Sequence, residues 1–454
     1  MRTYIRLREE NPALFKGFLA ISLLYALAAY FSSGFYHWDE YFQILEFTAY
    51  KWGKTDASSL AWEYEAAMRP WLQSFLIYPG KVIGPHLTVF LARLITGQIF
   101  LLLLLKWYFV TREKFQLENT TYFLGTFLLW FFPTLLVRYS SETLSALFIM
   151  AFLISYIQDS RSHLNHVLMG IFAALAFWCR YQVGIFLFFP LFHIIFLKRN
   201  WYTSLALAIS FLIVCSLMIG VDSWGYGSLT FTPYNYFYQN IILKKTSQFG
   251  VNAWWDYLKW IIARPTPLIG IPLIIATFFF MKENRKSALA WGILAFIVIH
   301  HFIPHKELRF LFPLLPLIPL ILWTWFKRIN AKPIWIKTFL ILNILLIPSF
   351  LTPLHPIENF SKNAGNKTIS VGPGPLYPNK LAGGLKATYF YNKSTHFTEG
   401  KSSTFKFLSK VGLLREALKD DQCQLIYSSR PFFETQINLG ILKDKKKLWS
   451  LIKC

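Results

Sequence analysis

Three short stretches gather side chains whose types and spacing suit chemistry. The first, Phe35-Tyr36-His37-Trp38-Asp39-Glu40, sets two adjacent acids among aromatic rings. A carboxylate held against apolar surface has its pKa raised and can serve as a general base; the bland alternative is an interfacial aromatic belt with solvated acids. The second is His305-Lys306-Glu307-Leu308-Arg309-Phe310, preceded by His300 and His301. On a helical turn Lys306 and Arg309 are i,i+3 neighbours and His305 and Arg309 are i,i+4, so three donors would face one anion. That suits a phosphate, which arginine holds as a fork and lysine as a point charge; otherwise Glu307 simply neutralises the cations at a helix end. The third, Val221-Asp222-Ser223-Trp224-Gly225-Tyr226-Gly227 followed by Phe231-Thr232-Pro233-Tyr234-Asn235, reads as a loop. Its rings, hydroxyls and amides suit the faces and hydroxyls of a sugar, or equally a lipid headgroup layer. Arg69 and Arg180 are lone cations that either anchor a phosphate or snorkel.

The elements that must position these stretches are apolar runs. Eleven candidate spans fall near 17–36, 86–105, 119–137, 143–158, 163–179, 181–197, 201–220, 265–281, 287–303, 310–326 and 334–353. Arg2, Arg6, Arg8 and Lys16 at the N-terminus share one side with alternate loops carrying Arg112/Lys114, Arg161, Lys198/Arg199, Lys282/Arg285/Lys286 and Lys327/Arg328/Lys332. The positive-inside rule makes that side cytoplasmic. All three motif stretches, the long loop 37–85 and everything after about 355 then face the other side. Ala26-Leu27-Ala28 resembles a signal-peptidase site, but the leader is long and carries Glu9 and Glu10, which favours an uncleaved first span.

Composition agrees with this reading. Of 454 residues 55% are hydrophobic and only 15% charged, against about 25% charged in soluble proteins, which excludes disorder, collagen and a disulfide scaffold. The balance of 46 Lys+Arg against 23 Asp+Glu gives +23, but much of the excess sits in short loops facing anionic lipid, so nucleic acid is not the expected partner. The expected fold is an α-helical multi-pass membrane protein with about 11 transmembrane helices: residues 1–354 form the membrane catalytic domain, and 355–454 a small mixed α/β extracytoplasmic domain. There, Lys367–Val371 reads as strand and Thr404–Leu418 as helix. The run Val371-Gly372-Pro373-Gly374-Pro375 reads as turns, and no Walker or GxGxxG loop is present.

Cys179 and Cys215 read as packed thiols, whereas Cys423 and Cys454 would pair in an oxidising compartment. His163 and His166 lack metal-ligand spacing, and Lys443, Lys445, Lys446 and Lys447 read as a solvated face. No cofactor is expected. Asn366-Lys367-Thr368 and Asn392-Lys393-Ser394 are glycosylation sequons that matter only in a secretory pathway.

Taken together, the motifs resemble those of glycosyltransferase family 22, the GT-C-fold mannosyltransferases that build N-glycan precursors and GPI anchors. His37-Trp38-Asp39-Glu40 resembles the family's H-x-D-E, and His305-Lys306-Glu307-Leu308-Arg309-Phe310 its H-K-E-x-R-F. Val221 to Gly227 and Phe231 to Asn235 resemble V-D-S-x-x-Y-G and F-T-P-x-N. Trp62-Glu63-Tyr64 leading to Arg69 resembles a W-E-Y then R-S element in which Pro70 replaces the serine. The resemblance covers residues about 36 to 310, in order.

It implies a GT-C fold and an inverting, metal-independent transfer of mannose from dolichyl- or polyprenyl-phosphate-mannose to a glycan or glycolipid acceptor, on the non-cytoplasmic face. Asp39 would be the general base, with Glu40 orienting it or binding a sugar hydroxyl. Lys306 and Arg309, with His305, would stabilise the leaving phosphate. His37, Arg69, Arg180, Asp222 and Tyr226 would line the substrate, Asp222 being structural or acceptor-binding because an acid beside the leaving phosphate opposes departure. The host membrane would be a bacterial inner membrane, since eukaryotic relatives are usually longer, or the endoplasmic reticulum of a eukaryote. The competing readings are a GT-C transferase for another lipid-linked sugar or a protein acceptor, and a lipid or solute transporter.

Overall fold

Apolar runs without charged residues can satisfy their backbone groups in hydrocarbon only as helices, and helices are what the chain forms. The computed structural model describes residues 2–31, 35–117, 119–158, 162–197, 201–351, 368–371, 396–399, 405–410, 414, 417–419, 422–428 and 447–453. The first helices are α1 (Arg2–Glu10), α2 (Pro12–Phe31), α3 (Glu46–Lys51), α4 (Trp62–Glu65), α5 (Leu72–Ile77) and α6 (Pro85–Phe115). Next come α7 (Asn119–Phe127), α8 (Phe132–Leu135), α9 (Ser141–Gln158), α10 (His163–Cys179), α11 (Gly184–Phe192), α12 (Trp201–Tyr226) and α13 (Thr232–Phe237). The last are α14 (Asp256–Ala263), α15 (Pro267–Glu283), α16 (Ala288–Phe302), α17 (Ile318–Arg328) and α18 (Pro333–Leu346).

Among the described residues five helical stretches are long and apolar enough to cross a membrane: α2, α6, α9, α12 and Leu308–Arg328. Shorter apolar helices cover His163–Cys179, Tyr181–Leu197, Ala288–Phe302 and Pro333–Ser349. The stretch read as one span over 119–137 divides into α7 and α8, because Pro133 in the first turn of α8 has no N–H for a continuing helix and its ring crowds the carbonyl of residue 129. A second difference is that residues 221–226, read as loop, are the last turns of α12. The segment 305–309 is not one helical turn either. Residues 305–307 are non-helical, and Leu308–Leu317 is a 3-10 helix. Pro313 and Pro316 within it withhold the N–H groups an α-helix would use.

The chain divides into two compact units. The first comprises Met1–Tyr30, Glu63–Ile77 and Val89–Phe350. Its core runs from Phe18 and Tyr25 through Tyr108, Phe127 and Phe152 to Phe296, Trp323 and Phe339. Helix α9 lies deep within it, mostly buried, whereas α12 is largely uncovered. The first turn of α9 therefore opens inside the helical unit. Ser140 caps it, its hydroxyl accepting from the Thr143 amide at 3.2 Å, and Glu142 in that turn suits the positive end of the helix dipole.

The second unit comprises Phe31–Trp62, Tyr78–Thr88 and Leu351–Cys454. A π-helical segment, Glu40–Leu45, runs into α3, and the Trp52 indole donates to the Tyr78 carbonyl at 2.8 Å. Five strands, β1 (Thr368–Val371), β2 (His396–Glu399), β3 (Phe405–Lys410), β4 (Gln424–Ser428) and β5 (Lys447–Lys453), form one sheet in the order β2-β1-β3-β5-β4. β1 is parallel to β2 and β3, while β5 is antiparallel to β3 and β4. The first part of the expected helix over Thr404–Leu418 gives way to β3, whose Phe405-Lys406-Phe407 alternation has the strand period of two, while Leu414 and Ala417 are helical. Leu414 and Ile452 are buried together there, and Cys423 is disulfide-bonded. Arg161, Lys198, Arg199, Gly372 to Pro375, both sequon asparagines, Lys443 to Lys446 and Cys454 lie outside the described residues.

Candidate functional site

The basic motif 305–309 enters the first unit through a loop rather than a helix. Asn252 pins it: its side-chain oxygen accepts from the Lys306 amide at 2.9 Å, and its own amide donates to Pro304 at 2.9 Å. The His305 ring lies 3.2 Å from the Gly250 carbonyl through Nδ1 and 3.1 Å from Glu307 through Nε2. The Lys306 ammonium donates to the Ile303 carbonyl at 2.6 Å, with Asp256 within electrostatic reach, and burial lowers its pKa from the ordinary lysine value. His305, Lys306 and Arg309 therefore do not share a helical face.

What Arg309 does share is a carboxylate absent from all three motifs. Its Nη1 donates to Glu142 Oε1 at 2.6 Å, and Nη1 of Arg180 donates to the same oxygen at 2.7 Å. All three side chains are buried. The Nε of Arg309 donates to Glu307 at 2.5 Å, so one ionic chain runs from His305 through Glu307, Arg309 and Glu142 to Arg180. Phe310 supports both guanidiniums, with its ring centre 4.8 Å from Arg180 and 5.1 Å from Arg309. The Nε of Arg180 is buried without an acceptor. Fully buried Tyr257 and His300 lie within electrostatic reach of Arg180. Two arginines that present five N–H groups each, with one buried N–H to spare, form a place that an anion's oxygens can satisfy.

The third motif builds a different object. Asp222, fully buried in the last turn of α12, accepts the Trp71 backbone amide at 2.8 Å and the Trp178 indole at 2.9 Å, together with the Thr232 hydroxyl. Thr232 in turn bonds the Tyr181 hydroxyl at 2.6 Å. Gly225 is required here, because a Cβ at that position would lie 2.1 Å from the Trp71 ring. Tyr226 accepts from the Arg69 amide at 3.1 Å and donates to its carbonyl at 2.8 Å. The Arg69 guanidinium reaches Glu63 at 3.4 Å and lies 5.7 Å from the centre of the Tyr236 ring. Arg69, Asp222 and Tyr226 are thus joined with each other, and Asp222 holds the start of α5, the end of α10 and the start of α13 to α12.

The acidic motif belongs to the second unit. Glu40 is buried, and its carboxylate accepts the Tyr36 amide at 2.9 Å, closing the turn back on itself. The Asp39 carboxylate, with a quarter of its side chain exposed, lies 3.3 Å from His37 Nδ1. Trp38 and Phe42 stack beside it with ring centres 5.7 Å apart. The two adjacent acids therefore have different surroundings, the first reachable and the second engaged with its own loop. A third acid of this segment, Glu46, is fully buried, and burial pushes its carboxyl up to about 8.

Sequence reasoning missed Glu142. The signal available was an acid one residue into a Ser-capped turn between two apolar runs, Ser140-Ser141-Glu142-Thr143.

Comparison with known proteins follows the same residues. Residues 13–367 match the Alg9-like mannosyltransferase family. GPI mannosyltransferase 4 of Saccharomyces cerevisiae is 25% identical over 356 residues, covering 71% of this chain and 67% of the yeast protein. GPI mannosyltransferase 3 of Drosophila melanogaster is 30% identical over 166 residues, 33% of this chain and 29% of its own length. The Drosophila Dol-P-Man:Man(7)GlcNAc(2)-PP-Dol alpha-1,6-mannosyltransferase is 24% identical over 245 residues, 47% of this chain and 34% of that enzyme. The chain spans about two thirds of the yeast relative and about a third of the two fly proteins.

Proposed function

Because the chain belongs to the Alg9-like mannosyltransferase family, we propose that it is an integral membrane enzyme transferring mannose from a polyprenyl- or dolichyl-phosphate-linked donor to a glycan or glycolipid acceptor. The relatives' names carry the same chemistry: GPI mannosyltransferases, and an enzyme whose name contains Dol-P-Man as donor and a lipid-linked oligosaccharide as acceptor. We assign the reaction to the non-cytoplasmic face of a membrane crossed about eleven times, with residues 355–454 as an external domain. The membrane would be a bacterial inner membrane or the endoplasmic reticulum.

Asp39 acts as general base. It takes the proton of the acceptor hydroxyl as that oxygen forms its bond to the anomeric carbon, and the bond from that carbon to the phosphate oxygen breaks with its electron pair leaving on the phosphate. One carboxylate suffices for such a one-step inversion. His37 Nδ1 accepts from the Asp39 backbone amide and lies beside its carboxylate, and Glu40, engaged with Tyr36, shapes the turn that presents it. Arg309 and Arg180, with His305 on the same ionic chain and Lys306 next to it in the loop, receive the phosphate's growing charge and so supply the positive field that a metal supplies in many nucleotide-sugar enzymes. Asp222, Tyr226 and Arg69 act one step back, by setting the elements around Trp71.

The observation that carries this reading is the buried pair of guanidiniums on one carboxylate with an N–H to spare, a device fitted to the anion that leaves rather than to a neutral transported solute. The test is mannose transfer by the detergent-solubilised protein offered polyprenyl-phosphate-mannose or GDP-mannose, with and without EDTA. Transfer from the lipid donor alone, resistant to EDTA and reduced on the order of 10²- to 10⁴-fold in Asp39→Asn, is the expected result. Transfer from GDP-mannose by the purified protein would remove the lipid-donor reading, and normal turnover of Asp39→Asn would remove the base.

A further inference from the structure

We propose that Glu142 is a positioning residue of the phosphate site, holding Arg180 and Arg309 side by side as one clamp; this rests on the assignment of those arginines to the donor phosphate. Arg180 ends α10 and Arg309 opens the 3-10 segment, 129 positions apart in the chain. Nothing local brings them together. Buried like charges in proximity repel strongly; Glu307 neutralises Arg309 alone, whereas both Nη1 atoms converge on one carboxylate oxygen of Glu142, at 2.7 and 2.6 Å.

Three features make the arrangement directional. Glu142 lies in the capped first turn of the most buried of the five long apolar helical stretches, so its position is fixed by the core and the helix dipole rather than by the arginines. Each arginine meets it through Nη1, and Phe310 lies within stacking distance of both guanidiniums. On Arg180 the Nε–H is left buried without an acceptor. A buried donor without a partner is costly, and a phosphate oxygen meeting Arg180 at that edge removes the cost. Glu142 thus works through the arginines. It anchors them from the protein side, so that the donor's phosphodiester, and the phosphate monoester that leaves, meet two forks already set in place.

The test measures equilibrium binding of a short-chain polyprenyl phosphate to the full-length detergent-solubilised protein, with thermal unfolding in parallel, for wild type, Glu142→Gln, Arg180→Ala, Arg309→Ala, the double arginine variant and the triple variant. Each arginine change is expected to weaken binding at least tenfold, and Glu142→Gln about as much. In the double arginine background Glu142→Gln should weaken binding no further, since a residue acting only through the arginines loses its effect with them. Glu142→Asp keeps the charge on a stem one methylene shorter, reaches one arginine at a time, and should fall between wild type and Glu142→Gln; it also carries the test if the glutamine variant does not fold. If the arginine variants bind normally, the phosphate assignment fails. If they bind weakly but Glu142→Gln and Glu142→Asp bind as wild type, or the glutamine effect persists undiminished in the triple variant, the positioning role fails while the phosphate site stands.

Discussion

Two buried carboxylates at the ends of helices, Glu142 and Asp222, have opposite kinds of partner. Asp222 is satisfied by neutral donors: a backbone amide, an indole and a hydroxyl from three separate elements. Glu142 is shared by two guanidiniums from two elements, one of which retains a buried N–H without an acceptor. A carboxylate matched by neutral donors is a finished structural joint, and bringing a ligand to it would mean breaking bonds already made. A carboxylate that gathers arginines concentrates donors beyond its own capacity to accept, and the surplus suits an anion from outside. In this molecule the difference separates a pin from a site, although both lie in stretches that match the same family.

Substitutions at three positions test that contrast. Arg309→Ala should lower kcat/KM for a lipid-phosphate donor on the order of 10²- to 10³-fold, the scale of losing one charge-stabilising group from a transition state. Steady-state transfer rates check it, and Arg309→Lys should be nearly as damaging because an ammonium cannot reproduce the fork. Asp222→Asn should act on the other quantity. Whichever way the amide turns, its NH2 faces an N–H of Trp71 or Trp178, so one buried donor loses its acceptor, at about 1–3 kcal/mol of stability. Thermal unfolding should show that loss, with turnover per folded molecule changed only a few-fold. Gly225→Ala tests the same joint sterically: a methyl 2.1 Å from the Trp71 ring forces repacking worth about 1–2 kcal/mol, read as a lowered unfolding midpoint.

Glu46 adds a third kind of buried carboxylate, one that keeps its proton. Its pKa is raised to about 8 in the folded protein from the ordinary 4.5. Between those values the folded form binds a proton that the unfolded chain has released, so its contribution is fully present below about 4.5 and is lost as pH rises towards 8. Glu46→Gln should remove this slope, so that the variant gains on the wild type between pH 5 and pH 8 by about 3 kcal/mol. Unfolding midpoints across that range measure it.

How much of this was legible in the sequence differs by element. Apolar runs declared most helices, because twenty residues without charge have few other fates, and Asp39, Arg309 and Asp222 were marked by their neighbours. Partnership was not legible. Arg309 and Glu142 are 167 positions apart, and no local pattern reports such a contact. Residues 221–226 read as a loop in sequence, whereas Gly225 is there to admit Trp71 and the helix continues through it. The helical spacing of His305 and Arg309 failed for the reverse reason: Asn252 holds residues 304–306 in an extended loop, and the prolines beyond impose a 3-10 helix. The difference between Asp39 and Glu40, adjacent and chemically alike, depends on which carboxylate turns back to a backbone amide, and this too is decided by the fold.

The contrast between the two carboxylates is tested most directly by the binding of a polyprenyl phosphate to wild type, Arg309→Ala and Asp222→Asn, each corrected for its folded fraction. A weakening of tenfold or more in Arg309→Ala, with Asp222→Asn within about twofold of wild type, is the predicted result. Equal weakening in both variants, or weakening only in Asp222→Asn, would contradict it and move the phosphate to the joint around Trp71.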